Sequence, residues 1–213
     1  MKKLFIVFIL VVLSMCVYGQ GFYFDIGGGA GLGWTNINGL ESTSIYKLLG
    51  YKIDADFSTE FGFKAGYGPF GNIPLYIAGE LTWLSHIISG SIKISEDVTK
   101  FVSTTTKPII FGIGVLFYPI PLIQLGTSFC LAYSGFIGDS KFFAAVSDLA
   151  DFDDQLGFAW NISLAVDLGK KNHGCLIGIK YWYEDISRKE SVNTHALGFF
   201  IKYAFRKKAP SLF

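Results

Sequence analysis

Few residues in this chain have types that do chemistry. Among 213 residues there are three histidines and three cysteines. His195 follows Glu184 along the chain, with Ser187 and Ser191 between them. This is the one grouping from which a nucleophile, a base and an orienting acid can be sketched. Its chemistry would be hydrolysis of a lipid or ester. His86 and His173 stand apart from it. No His, Cys or carboxylate cluster has metal-ligand spacing, and no cofactor is implied. The run Gly27 to Gly33 has no start that gives glycines at i, i+2 and i+5, so it fails as a dinucleotide fingerprint. The larger candidate set is a group of charges of both signs: Asp25, Glu60, Lys64, Glu80, Asp167, Lys180, Glu184 and Lys202. Their meaning depends on the elements that carry them.

Those elements read as strands of period two. In the first segment, 22–35, Phe22, Phe24, Ile26, Leu32 and Trp34 share one parity, while the other is mostly glycine with Asp25. The second, 56–67, sets Phe57, Phe61, Phe63 and Tyr67 against Glu60, Gly62 and Lys64. The third, 75–85, sets Leu75, Ile77, Leu81 and Trp83 against Glu80 and Thr82. Segments 109–118 and 123–134 continue the pattern, the latter with Gln124, Ser128 and Cys130 on its small or polar face. In 156–168, Leu156, Phe158, Trp160, Ile162, Leu164, Val166 and Leu168 alternate with Asn161, Ser163 and Asp167. Segments 175–184 and 195–205 place Lys180, Trp182, Glu184 and Lys202 on the inner parity. Every charge within these eight segments falls on the parity opposite the apolar one. A charge on a lipid-facing position near mid-membrane costs about 2–4 kcal/mol. A soluble sandwich would have its charges outside. The pattern predicts a closed antiparallel transmembrane up-and-down β-barrel of about eight strands.

The links support this topology. Links 69–74, 119–122 and 169–174 are short and carry turn residues, while 37–54, 86–106 and 135–155 are long. Aromatic residues gather near the strand ends as two girdles. A helix through 109–125 is interrupted by Gly112, Gly114, Pro119 and Pro121. Asp25 and Lys202 lie on the strands that meet when the barrel closes, and Lys64 faces Glu80 across the first short hairpin. Cys130 and Cys175 fall on strands that are not neighbours, beyond the roughly 7 Å reach of a disulfide. They are expected to be free thiols.

Composition fits export and a lipid-facing surface. Charged residues make up 16% and aromatics 17%, against about 25% charged in soluble domains. Lys2, Lys3 and the apolar run Leu4–Leu13 read as a secretory signal with cleavage after Gly19. Leu13-Ser14-Met15-Cys16 offers a lipobox as the rival reading. The expected organisation is a cleaved signal over 1–19, the barrel over 20–205 and a short tail over 206–213. Without Lys2 and Lys3 the chain has 16 basic and 17 acidic residues, so nucleic-acid binding has no electrostatic support.

The last segment, Leu197-Gly198-Phe199-Phe200-Ile201-Lys202-Tyr203-Ala204-Phe205, alternates and ends in an aromatic. With the architecture over Gln20 to Phe205, it resembles the small outer-membrane barrels of the OmpA, OmpX and OmpW type. The tail Arg206 to Phe213 departs from that pattern. The resemblance implies residence in the outer-membrane bilayer, and Tyr203 and Phe205 as the signal read by the barrel assembly machinery. The expected role is a non-enzymatic membrane scaffold with surface loops, its lumen largely plugged by side chains. The third long loop, with Phe142, Phe143, Asp148, Asp151, Asp153 and Asp154, could meet an extracellular partner or a cation. The alternative is a narrow OmpW-like channel for small polar or hydrophobic solutes, part-lined by Leu84, Ile110, Leu116, Leu176, Trp182 and Phe200. The third reading is the hydrolase sketched around His195.

Overall fold

The structure is a computed structural model that describes residues 21–37, 52–70, 72–93, 99–134, 136–137, 155–169, 172–185 and 192–206. The signal over 1–19, the tail beyond Arg206, Ser187, Ser191 and the acidic aromatic stretch of the third loop lie outside them. Among the described residues there are ten strands: β1 (Phe22–Ile37), β2 (Lys52–Tyr67), β3 (Leu75–Lys93), β4 (Thr99–Thr106), β5 (Ile109–Ile120), β6 (Ile123–Ser134), β7 (Phe136–Ile137), β8 (Gln155–Asp167), β9 (His173–Asp185) and β10 (Val192–Arg206).

Eight of them form a closed ring in the order β1, β2, β3, β5, β6, β8, β9, β10, with every neighbouring pair antiparallel. Closure is made by β1 against β10, in register from Tyr23↔Arg206 to Ile37↔Val192. Closing the sheet leaves the barrel no free edge along this seam. At its centre Gly31 sits opposite Gly198. A Cβ on Gly31 would run into the Leu197 carbonyl and the Gly198 Cα. The glycine run of β1 therefore serves close strand contact.

Side chains alternate as the period-two pattern requires. Leu32 is 67% exposed, Ile113 66% and Phe199 73%, while Asp25, Lys64, Glu80, Asp167, Lys180, Glu184 and Lys202 are all buried. Strand ends run further out than the alternation suggested. β3 continues through His86 to Lys93 and turns back as β4, so the expected link 86–106 contains a hairpin paired from His86↔Thr106 to Lys93↔Thr99. β7 adds two residues against the start of that hairpin. β10 likewise includes Arg206, one residue beyond the expected barrel end.

Candidate functional site: the ion-paired lumen

The inward parity of eight strands brings the charges into one column, which divides into three tiers. At the end nearest the short turns, Lys202 Nζ donates to Asp25 Oδ1 at 3.1 Å and Tyr23 Oη donates to Asp25 Oδ2 at 2.6 Å. Gln124 Nε2 donates to Tyr23 Oη at 3.0 Å and to Tyr118 Oη at 2.6 Å. Gln124 on β6 and Tyr23 on β1 stand on opposite walls, so this bond crosses the barrel. The rings of Tyr23, Tyr76 and Tyr118 pack in a row, with centroids 5.4 and 5.6 Å apart. Arg206 Nε donates to Asp167 Oδ2 at 2.6 Å, and its guanidinium lies 4.9 Å from the Tyr118 ring centroid.

The middle tier is the densest. Lys64 Nζ is 3.1 Å from Glu80 Oε2, a pair whose residues are directly opposed across the β2–β3 hairpin. Lys180 Nζ reaches from β9 to Glu60 Oε2 at 2.9 Å and Glu80 Oε1 at 3.3 Å. Trp182 Nε1 donates to Glu60 Oε2 at 2.6 Å, and Asn161 Nδ2 donates to Glu80 Oε2 at 3.2 Å. Lys64 Nζ also donates to Ser128 Oγ at 3.0 Å. Each carboxylate here has at least one lysine and a neutral donor. This is the arrangement that makes buried charge tolerable, because attraction and hydrogen bonds together offset lost hydration.

The outer tier differs from expectation. His86 lies inside the barrel, fully buried, between Ser58 and Glu184. Ser58 Oγ is 2.6 Å from His86 Nδ1, and His86 Nε2 is 3.3 Å from Glu184 Oε1. His195 does not approach Glu184. It pairs in register with Tyr183 and belongs to the outward parity of β10. There it stacks on Trp34 with centroids 5.4 Å apart and meets the Tyr181 hydroxyl at 2.6 Å. The hydrolase sketch around His195 therefore lacks its acid. Odd positions of β9 pair with odd positions of β10, so His195 and Glu184 occupy opposite faces.

Two voids, about 20 and about 10 Å³, lie between the tiers. The first is lined by residues including Ser58, Glu60, His86, Lys180 and Trp182, the second by Asp25, Lys64, Gln124, Lys180 and Lys202. Each is the size for a single water. Leu84, Ile110 and Trp182 form a buried apolar patch beside the first, and Leu176 packs with Phe200 lower down. These side chains pack against one another inside the barrel. Cys130 is buried in the lumen, Cys175 is half-buried, and both are free thiols. Tyr203 and Phe205 point outward at the end of β10, with their rings 5.1 Å apart and His173 against both. Among the described residues no group of three or more His, Cys, Asp or Glu side chains is placed to hold a metal ion.

The closed ring defines the fold class: a small antiparallel barrel of eight strands. No family model matches the chain, and no curated protein matches it. Among solved structures, the outer membrane protein OprG from Pseudomonas aeruginosa is similar at 15% identity and a TM-score of 0.49, covering 88% of this chain and 97% of that one. Ail, the attachment invasion locus protein of Yersinia pestis, solved in complex with the heparin analogue sucrose octasulfate, is similar at 14% identity and a TM-score of 0.48, covering 86% of this chain and 99% of that one.

Proposed function

We propose that the protein is an integral outer-membrane barrel whose lumen is closed by ion pairs, and that its role lies in the membrane scaffold and its outward loops. The observation that carries the reading is the inversion of the molecule: apolar side chains cover the outside and charges fill the inside. On β8 and the residue that follows it, the outward row from Leu156 to Leu168 is apolar throughout. Twelve residue steps cover about 40 Å along a strand, or about 30 Å along the axis at a tilt near 40°. That accommodates the apolar band of about 25 Å together with its girdles. Trp34, Trp83, Tyr133, Tyr183 and Trp160 lie toward one end, and Tyr67, Tyr203 and Phe205 toward the other. Among the described residues no helix is long and apolar enough to cross a membrane; in this reading the strands cross it. Export by the signal over 1–19 and insertion through Tyr203 and Phe205 belong to the same reading.

Contacts that cross the lumen support this reading over a solute channel. Gln124 to Tyr23, Lys180 to Glu80 and His86 to Glu184 each join opposite walls, at three heights, and the two voids between the tiers are each the size for a single water. The test is solute uptake by liposomes carrying the refolded mature chain, with folding checked by gel mobility before and after boiling. A folded sample should pass no glucose-sized solute. Uptake by an equally folded sample would establish the channel reading instead.

A further inference from the structure

The outer tier contains a Ser–His–Glu trio whose chemistry depends on one proton. A neutral His86, protonated at Nε2, would accept from Ser58 at Nδ1 and form a relay of the kind that activates a serine. A doubly protonated His86 would donate to both neighbours and act as a cation. The charge inventory separates the two. The described lumen contains five carboxylates, Asp25, Glu60, Glu80, Asp167 and Glu184, and four permanent cations, Lys64, Lys180, Lys202 and Arg206. Asp25 pairs with Lys202, Asp167 with Arg206, Glu80 with Lys64 and Glu60 with Lys180. Glu184 remains, fully buried, and among the described residues its one ionic partner is His86.

We infer that His86 is a proton-binding site: it is the fifth cation of the lumen, and its proton clasps β3 to β9 across the outer end of the barrel. A buried carboxylate without a counter-charge is costly, and histidine is the side chain that can supply one near neutral pH. The other groups around it agree. From β2, Ser58 and Glu60 face the same void, and Asp56 lies two positions further out on that strand, opposite Ile88. From β9 come Lys180, Trp182 and Glu184, and from β10 Ala196 lines the void while Thr194 is opposite Glu184 in register. Lys180 is already held by Glu60 and Glu80, so it does not serve Glu184. The pair exists while His86 carries its second proton, so its contribution is present at acid pH and lost as pH rises. The lumen is fastened at its outer end by acid.

This inference rests on the closed-lumen reading, but side-chain NMR does not depend on solute flux, so the two fail separately. The double variant H173Q/H195Q, which alters outward-facing positions, leaves His86 as the single histidine. In detergent micelles at about pH 7, nitrogen-15 spectra of that imidazole should show both ring nitrogens protonated. E184Q should return it to a single proton at the same pH. Serine-directed fluorophosphonate should leave Ser58 unmodified. A singly protonated ring in the His86-only protein, or labelling of Ser58 that H86Q abolishes, would overturn the cation assignment and make the trio an activated-serine relay. If E184Q does not fold, loss of heat resistance in the His86-only protein as pH rises through the range where the NMR signal titrates decides the matter. Unchanged heat resistance across that range would overturn the clasp.

Discussion

At the scale of single residues, the lumen is an ion-pair core, and its members differ in how replaceable they are. Lys180 joins Glu60 and Glu80 and lies 4.1 Å from the Trp182 ring centroid. Lys180→Met leaves two buried carboxylates short of a partner, and breaking such a pair costs about 3–5 kcal/mol. Chemical unfolding in detergent should register a loss of that order. Adding Glu60→Met should recover part of it, because a matched apolar pair in place of an ion pair is often near neutral. If the double variant is as unstable as the sum of the single ones, the pair is not a coupled unit. Some of this site was legible in the sequence. Lys64 with Glu80 and Asp25 with Lys202 could be read because each pair lies on neighbouring strands. Lys180 with Glu60 and His86 with Glu184 could not. Parity says that a side chain points inward, but not which residue on a facing wall shares its height. Arg206 continues the inward parity of Lys202 and Ala204, but the aromatic ending at Phe205 marks the strand end one residue short of it.

At the scale of elements, the seam of β1 and β10 closes the barrel, and it tolerates little bulk. Gly27, Gly29 and Gly31 all lie against the β10 backbone, where a Cβ would meet the carbonyl oxygens of Ile201, Phe199 and Leu197. Gly31→Val should therefore impair closure, shifting most of the refolded protein from the compact, heat-modifiable gel band to the unfolded position. Gly79 offers a contrast, since a Cβ there meets nothing nearer than the Ala65 carbonyl at 3.7 Å. Gly79→Ala should refold with wild-type yield. Equal yields for Gly31→Val and Gly79→Ala would mean that the glycines of β1 do not set the seam. Strand existence was legible because the two faces of each strand differ: apolar side chains on the exposed outside and small or polar ones in the lumen. Strand length was not. Beyond Ser85 the sequence His86-Ile87-Ile88-Ser89-Gly90-Ser91 loses its binary pattern, as expected where a strand runs on past the closed ring and its two faces no longer meet different surroundings. The hairpin of β3 and β4 is held by main-chain pairing, which side-chain periodicity does not report.

At the scale of the whole molecule, the fold has its hydrophobic surface on the outside, and the sign of a surface mutation tests that arrangement. Phe199 is 73% exposed on β10, in register with Ala30 and Ile179 on its two neighbours. In a soluble protein, replacing so exposed an aromatic with arginine would change stability little, since surface substitutions are usually within about 0.5 kcal/mol. In a barrel embedded in lipid, the same change places a guanidinium against hydrocarbon and costs about 2–4 kcal/mol near mid-membrane, falling toward zero at the interfaces. Phe199→Arg should thus destabilise the protein in bilayers by that amount. Tyr203→Arg, four residues nearer the girdle, should cost markedly less. Such a gradient along one outward face requires a medium whose polarity changes with depth, which water does not provide. A flat response at both positions would place the outer surface of this barrel outside the membrane, and the ion-paired lumen would then have to be read as the core of a different kind of protein.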